Sequence, residues 1–176
     1  MSLEFSKERL SRIDLFLQKN YIDTGKIPGG QILIAKKGKI EHFSNLGLID
    51  VSRNKPIEKD SIFRIASMTK PITSLCILQL IERGSINLDT NIEDISEKYK
   101  NIQIINSFEA NNPIYTNPTN KIKIKHLLNH TAGYGYEIWD KEINELVSLK
   151  LLNSLFDDDT GFLNAPILFN PGSEWK

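Results

Sequence analysis

The chain has 176 residues, 40% of them apolar and 25% charged, and its 22 basic and 22 acidic side chains cancel to a formal net charge of zero. This balance is typical of an ordinary soluble globular protein, and the lack of a basic excess argues against a nucleic-acid partner. Because Cys76 is the only cysteine, an intrachain disulfide and a thiolate metal cluster are both excluded.

The N-terminal segment bears on the location of the protein. Charged side chains are scattered through the first 19 residues, which therefore lack the uninterrupted apolar core of a signal peptide. No apolar run approaches the roughly 20 residues that a membrane-spanning helix requires. We therefore expect a cytoplasmic protein without a membrane partner, or a periplasmic one if a leader sequence precedes this chain.

Residues 1–66 are predicted to form an N-terminal helix and a β-hairpin of an α/β domain. An apolar stripe over residues 3–17 predicts a helix that fades near Asn20, with Ser2 or Ser6 as its cap. Beyond a Pro-Gly-Gly break, two β-favouring stretches flank a Lys-Gly turn, and this pattern predicts the hairpin.

A second helix is predicted to begin at Ser67. A short apolar run leads into this residue, and no glycine intervenes before Gly84, which is a natural stop. The stretch is apolar on most faces, which is typical of a helix buried in the middle of a protein. Cys76 falls within it, and we expect its side chain to be buried as a small hydrophobe.

The remainder is assigned, with this helix, to a partial helical subdomain over residues 67–176. Residues 100–119 hold asparagines and prolines and are predicted to be a long loop or insertion. A short helix is predicted over residues 124–129, and a longer helical pattern covers residues 139–156. After the three aspartates at 157–159 the chain is expected to be loop.

Ser67 and Lys70 are the candidate catalytic residues. A serine hydroxyl is a weak nucleophile until another group removes its proton. A spacing of three places both side chains on one face of a helix, one turn apart. A lysine in that position can accept the proton where apolar neighbours lower its pKa, and a helix N-terminus favours the developing negative charge.

The spacing alone is weak evidence. Two other serines, Ser52 and Ser173, also precede a lysine by three residues. The first lies in a polar stretch and the second follows a Pro-Gly pair, so only Ser67 opens a long apolar helix. The alternative is that Ser67 caps this helix while the Lys70 ammonium extends into solvent.

Four segments occur in the order found in one known family. The segment IFRIASMTK at residues 62–70 resembles the nucleophile segment of the class C beta-lactamase and esterase family, which also includes D-alanyl-D-alanine peptidases. GSINLD at residues 84–89 resembles the segment after the nucleophile helix. HLLNHTAGY at residues 126–134 resembles its histidine-rich turn, and FNPGSEW at residues 169–175 resembles the loop before its tyrosine motif. We identify the chain as a member of that family.

The resemblance implies a beta-lactamase/transpeptidase-like fold of the α/β class (α+β type), with an antiparallel sheet flanked by helices and a helical subdomain. It implies a serine hydrolase without a cofactor, in which Ser67 takes the acyl group of a small-molecule ester, amide or beta-lactam. The alternative is a non-catalytic fragment or binding module that keeps the fold without turnover. The sequence leaves the oligomeric state open.

Two motifs that the resemblance implies do not follow the Pro-Gly loop within the 176 residues. In this family a tyrosine of a Tyr-x-Asn motif comes shortly after that loop, and a Lys-Thr-Gly or His-x-Gly strand comes later. We therefore expect a fold that is incomplete at the C-terminus. We also expect this chain to be part of a longer protein, and to be unstable or inactive when isolated.

Two histidines lie in the predicted turn, and two tyrosines lie at its end or just after it. His126 and His130 are four residues apart, a spacing that can bind zinc on a helix. However, no glutamate follows His126, and His42 is the only other histidine, so we expect no metal. The resemblance implies instead a structural turn whose imidazoles are bonded to backbone groups.

Tyr134 and Tyr136 are candidate substrate-binding residues. The alternative is that their rings only pack against neighbouring side chains.

Overall fold

The computed structural model describes residues 5–157 and 160–176. The chain divides into two compact units, one that ends at Ala66 and one that begins at Ser67. The first unit combines a helix with a small sheet, and the second combines four helices with a β-hairpin. Within the described residues, no helix is both long enough and apolar enough to cross a membrane.

The first unit contains the predicted helix and hairpin. Helix α1 covers Lys7–Leu17 and continues into a π-helical turn, Gln18–Ile22. Its cap is Ser6, whose hydroxyl accepts a hydrogen bond of 3.3 Å from the backbone N–H of Arg9. Ser2, the other candidate cap, lies outside the described residues.

The sheet of this unit is antiparallel, in the order β1-β2-β3. Lys37 and Gly38 connect the first two strands, and both have positive φ, 49° and 77°, as a two-residue hairpin turn requires. The hairpin prediction is thereby confirmed. The strands are β1 (Gly29–Lys36), β2 (Lys39–Asp50) and β3 (Lys55–Pro56).

One polar cluster ties α1 to β2. The Asp14 carboxylate accepts a hydrogen bond of 2.7 Å from the Ser44 hydroxyl and lies 2.9 Å from Nε2 of His42. Burial alone would raise the pKa of Asp14, but the hydrogen bonds from Ser44 and His42 and the charge of His42 outweigh it and lower this pKa. The cluster therefore stabilises the ionised carboxylate between helix and sheet.

The second unit contains the remaining elements. A 3₁₀ turn at Ala66–Met68 leads into α2, and 3₁₀ turns also occur at Glu97–Tyr99 and Gly161–Asn164. The helices are α2 (Thr69–Glu82), α3 (Ile92–Ile95), α4 (Ile124–Leu128) and α5 (Lys141–Ser148), and the strands are β4 (Ile104–Glu109) and β5 (Asn112–Thr116).

The prediction of a long loop over residues 100–119 is wrong. This stretch contains the antiparallel pair β4–β5, joined by Ala110 and Asn111, whose φ angles are 47° and 66°. Ile105 is 2% exposed, and its backbone N–H donates to the carbonyl of Ile167 at 2.9 Å. The hairpin therefore forms because β4 is buried against a segment about 60 residues away, which the local composition does not reveal.

The prediction of a helix over residues 139–156 is only partly right, because α5 ends at Ser148. Lys150 has a φ of 58°, which breaks the helix. Beyond this point Leu152 is buried, at 7% exposed, whereas Leu151 and Phe156 are exposed by 56% and 71%. Residues 158 and 159, which precede the expected terminal loop, lie outside the described residues.

The prediction that α2 is buried is wrong for this chain. None of its side chains is buried, and Ile72 and Leu75 are exposed by 56% and 57%. Cys76 is exposed as well, contrary to expectation. The physical reason is that, of the apolar side chains of α2, Ile77 and Ile81 pack partly against the core, whereas the others are exposed.

Two apolar clusters form the core of the second unit. The first is centred on isoleucines from α3, β4, α4 and their flanking segments, and Ile167 in it is completely buried. The second packs α5 against β4 through Ile143, Leu146 and Ile105. The two clusters fix the turn between α4 and α5, which carries both candidate tyrosines.

Candidate active site

Ser67 lies in the 3₁₀ turn Ala66–Met68, and α2 begins at Thr69 rather than at Ser67 as predicted. Ser67 nevertheless contacts Lys70, in the first turn of α2. The Lys70 ammonium donates a hydrogen bond of 3.2 Å to the Ser67 hydroxyl. Ser67 does not cap the helix, because the N-cap position is occupied by Met68, which provides no side-chain bond. The hydroxyl is thus held by the lysine one turn away, as the spacing predicts.

The residue before Ser67 has an unusual backbone. Ala66 has a φ of 45°, in the left-handed region that a residue with a Cβ rarely adopts. Such conformations cost about 1–3 kcal/mol and cluster at functional sites. Ser67 therefore follows a sharply turned, strained position.

The other two serine–lysine pairs differ from this one. The Ser52 hydroxyl donates to the Asp50 carboxylate at 2.7 Å, and the Ser173 hydroxyl donates to the carbonyl of Asn170 at 2.8 Å. Both hydroxyls serve local turns. Among the three pairs, a hydrogen bond from lysine to serine occurs only at Ser67 and Lys70.

The surroundings of Lys70 differ from the expectation. Ser67 and Lys70 are both exposed, whereas a proton-accepting lysine was expected among apolar neighbours. The one aromatic group that the structure places over the ammonium is Tyr136, whose ring centroid lies 5.9 Å from Nζ. This distance is within the range of a cation–π interaction.

Tyr136 links the serine–lysine pair to the turn after α4. Its half-buried ring packs edge-on against Trp139 with a centroid distance of 5.3 Å. Its backbone N–H donates a 2.6 Å hydrogen bond to the carboxylate of Asp140, which is 4% exposed. The other carboxylate oxygen of Asp140 forms an ion pair with Lys176.

Gly135 fits closely against this carboxylate. A Cβ at this position would lie 2.5 Å from Asp140 Oδ2 and 2.5 Å from the Leu168 side chain. Sequence reasoning did not identify Asp140 or Gly135, because neither burial nor close approach is visible in the local pattern. The spacing of four between Tyr136 and Asp140 was the only available signal.

The two candidate tyrosines occupy different environments. Tyr134 packs partly against the first core cluster, and burial raises its pKa above the usual range for a tyrosine. Tyr134 thus lies against the core cluster and also lines a cavity, whereas the Tyr136 ring faces Lys70. Only Tyr136 is brought next to the serine–lysine pair.

The two histidines of the turn contact backbone and aromatic groups. Nδ1 of His126 accepts a hydrogen bond of 3.2 Å from the backbone N–H of Lys123, and burial, with nearby lysine charges, lowers the pKa of this imidazole. His130 packs edge-on against Trp175. Across residues 5–157 and 160–176, no three His, Cys, Asp or Glu side chains come together as a metal site would need.

The family model and the relatives with known names indicate the same family. The family described as Beta-lactamase matches residues 17–176. Esterase EstB of Burkholderia gladioli is 29% identical over 158 residues, which cover 86% of this chain and 38% of the esterase. ML-236A carboxylate methylbutanoyltransferase mlcH of Penicillium citrinum is 29% identical over 167 residues, which cover 89% of this chain and 40% of the transferase.

A solved structure gives the same result for the fold. A LovD6 mutant of simvastatin synthase from Aspergillus terreus superposes with a TM-score of 0.79 at 25% identity, over 99% of this chain and 43% of that chain. The chain thus spans about 40% of the length of the relatives that it matches. The mixed helical and antiparallel architecture is that of these proteins. The chain belongs to the beta-lactamase family.

Proposed function

We propose that the full-length protein transfers the acyl group of a small ester to Ser67 and then to water or an alcohol. The observation that carries this proposal is the 3.2 Å contact between Lys70 Nζ and the Ser67 hydroxyl, at the start of α2 and after a strained residue. Two other serine–lysine pairs of equal spacing lack this contact, so the arrangement does not follow from spacing alone.

In the proposed reaction Ser67 is the nucleophile and Lys70 carries the proton. With Lys70 in its neutral form, the Ser67 proton moves to Nζ as Oγ forms a bond to the ester carbonyl carbon. The carbon–oxygen bond to the alcohol then breaks, and the alcohol leaves with the proton from Nζ. Water or a second alcohol attacks the resulting ester of Ser67 in the same way and restores the hydroxyl.

The free backbone N–H groups at the start of α2 favour this reaction. The carbonyl oxygen becomes negatively charged during the attack, and the backbone N–H of Ser67 is the expected donor to it. A second such donor is typically worth about 3 kcal/mol.

The relatives favour esters as the substrate class. One is named an esterase and another a methylbutanoyltransferase, so both names describe the handling of acyl groups. A solved relative, EstCE1, is described as a hydrolase with promiscuous acyltransferase activity and superposes with a TM-score of 0.74 at 25% identity. Beta-lactams and D-alanyl peptides are the alternative substrates. A binding module without turnover is the alternative function.

The proposal is tested by the kinetics of the full-length protein. With p-nitrophenyl butyrate, we expect a burst of nitrophenolate equal to the enzyme concentration, followed by slower turnover. Ser67→Ala should abolish the burst, and Lys70→Ala should slow it by about 100-fold or more. Ser52→Ala serves as a matched control and should leave it unchanged. Normal turnover in Ser67→Ala would overturn the proposal.

A further inference from the structure

A cavity of about 530 Å³ lies in the second unit beside the turn that carries Tyr136. Its volume is within the range of small-molecule binding sites, about 300–1,000 Å³. Its walls are formed mainly by hydrocarbon and aromatic side chains from α3, α4, this turn and the segment after α5. They include Ile95, Tyr99, Leu127, Tyr136, Leu155 and Leu163.

The apolar side chains of this cavity are exposed to solvent. Ile95 and Leu163 are exposed by 57% and 53%, and Leu127 by 42%, although each lines a concave surface. Leaving such groups in water is unfavourable, and an apolar ligand that covers them is stabilised by removing them from water. Concave apolar surfaces of this kind mark ligand sites.

Tyr136 connects the cavity to the serine–lysine pair. It belongs to the cavity wall, its ring centroid lies 5.9 Å from Lys70 Nζ, and Nζ lies 3.2 Å from the Ser67 hydroxyl. Tyr136 is thus shared by the cavity wall and the surroundings of the serine–lysine pair, so we expect a group attached to an ester at Ser67 to pass this ring toward the cavity.

The charged groups of the lining indicate a neutral ligand. The lysine in the lining is Lys176, whose ammonium is already paired with the buried carboxylate of Asp140. His130 also lines the cavity, and its ring packs against Trp175. The cavity thus offers hydrocarbon contacts and no uncompensated lysine charge for a carboxylate.

We infer that this cavity binds the hydrocarbon group of a neutral ester and so determines which esters react at Ser67. The inference rests on the proposed function, because it assigns the specificity of that same reaction. The hydrocarbon group in the cavity can be either the acyl chain or the alcohol chain of the ester. The two sources are separated by experiment.

The test compares two substrate series with the full-length protein. One series lengthens the acyl chain, from ethyl acetate to ethyl hexanoate, and the other lengthens the alcohol, from ethyl acetate to hexyl acetate. We expect kcat/KM to rise by about tenfold or more along one of them, because each added methylene is worth a few-fold when buried. The series that shows the rise identifies the group that enters the cavity.

Two isoleucine-to-phenylalanine variants, one in the cavity wall and one elsewhere, test whether the cavity sets this preference. Ile95→Phe reduces the space, so we expect it to remove most of the preference for the longer ester. Ile114→Phe makes the same change on β5, away from the cavity, and should preserve the preference. No preference in either series, or an equal effect of both variants, would overturn the inference.

A binding measurement separates this inference from the proposed reaction. Trp139 packs on Tyr136, and Trp175 packs on His130, so both tryptophans of the chain adjoin cavity residues. In a Ser67→Ala background, the longer ester should change tryptophan fluorescence at concentrations about tenfold lower than ethyl acetate does. If turnover requires Ser67 but this difference is absent, the cavity inference fails and the proposed reaction stands. If Ser67→Ala still turns over esters, the proposed reaction fails instead.

Discussion

The Asp140 carboxylate accepts a hydrogen bond of 2.6 Å from the backbone N–H of Tyr136, the tyrosine whose ring lies over the Lys70 ammonium. Asp140 is almost completely buried, and its second oxygen is paired with Lys176. One carboxylate thus joins the turn that carries Tyr136 to the segment after the Pro-Gly loop. We regard Asp140 as a positioning residue, since it acts on the site through Tyr136.

The first prediction concerns this carboxylate. Asp140→Ala should lower the free energy of unfolding by about 3 kcal/mol, because it leaves a buried N–H and a lysine without their partner. Asp140→Asn should lower it by about half as much, since an amide oxygen still accepts the hydrogen bond. Urea denaturation of the full-length protein measures both. Asp60→Ala, at an exposed position, should change stability by less than about 0.5 kcal/mol, and an equal loss in all three variants would contradict the assignment.

The second prediction concerns the close approach of Gly135 to Asp140. Gly135→Ala introduces a Cβ within 2.5 Å of the carboxylate and of Leu168, so we expect a loss of about 1–3 kcal/mol. Gly30→Ala is the matched control, because a Cβ there meets no atom within 4 Å. It should be neutral or slightly stabilising. Thermal unfolding should therefore show a lower Tm for Gly135→Ala alone, and equal Tm values would refute the packing argument.

The third prediction concerns the pH dependence of the first unit. The pKa of Asp14 is lowered in the folded protein, so its ionised form stabilises the fold above the pKa of the unfolded chain, near 3.8. This stabilisation is lost as the pH falls through the lowered, folded-state pKa. Ser44→Ala removes one hydrogen bond and should raise the pKa of Asp14 toward 3.8.

The carboxyl carbon chemical shift of Asp14, followed by NMR from pH 6 to pH 2, measures this change directly. Glu41→Gln changes a neighbouring charge on β2 without removing a hydrogen bond of the cluster, and it should shift this pKa much less than Ser44→Ala does. A titration midpoint of Asp14 that does not move in Ser44→Ala would show that the hydroxyl does not stabilise the carboxylate.

Much of the fold follows from local sequence signals. The hairpin β1–β2 has a Lys-Gly turn and β-favouring flanks, and α2 ends beside Gly84, whose φ is 72°. The hairpin β4–β5 was not predicted, because its strands are held by pairing with each other and with Ile167, and its composition resembles that of a loop. Burial of α2 was predicted from its apolar pattern, but none of its side chains is buried.

The candidate site was predictable only where it is local. Ser67 and Lys70 are three residues apart, and their contact was predicted from that spacing together with the apolar helix that follows. The approach of Tyr136 to Lys70 joins residues that are 66 positions apart and depends on the packing of the two core clusters. No pattern within a short stretch of sequence indicates such a contact.

The most direct test of the proposed function is to locate the residue that is acylated. The full-length protein is treated with a fluorophosphonate and, separately, with a fluorescent penicillin, and the modified peptide is identified by mass spectrometry. We predict one adduct, on Ser67, that is absent from Ser67→Ala and is retained in Ser52→Ala. A covalent adduct that persists in Ser67→Ala, or that maps to another serine, would contradict the assignment of Ser67 as the nucleophile.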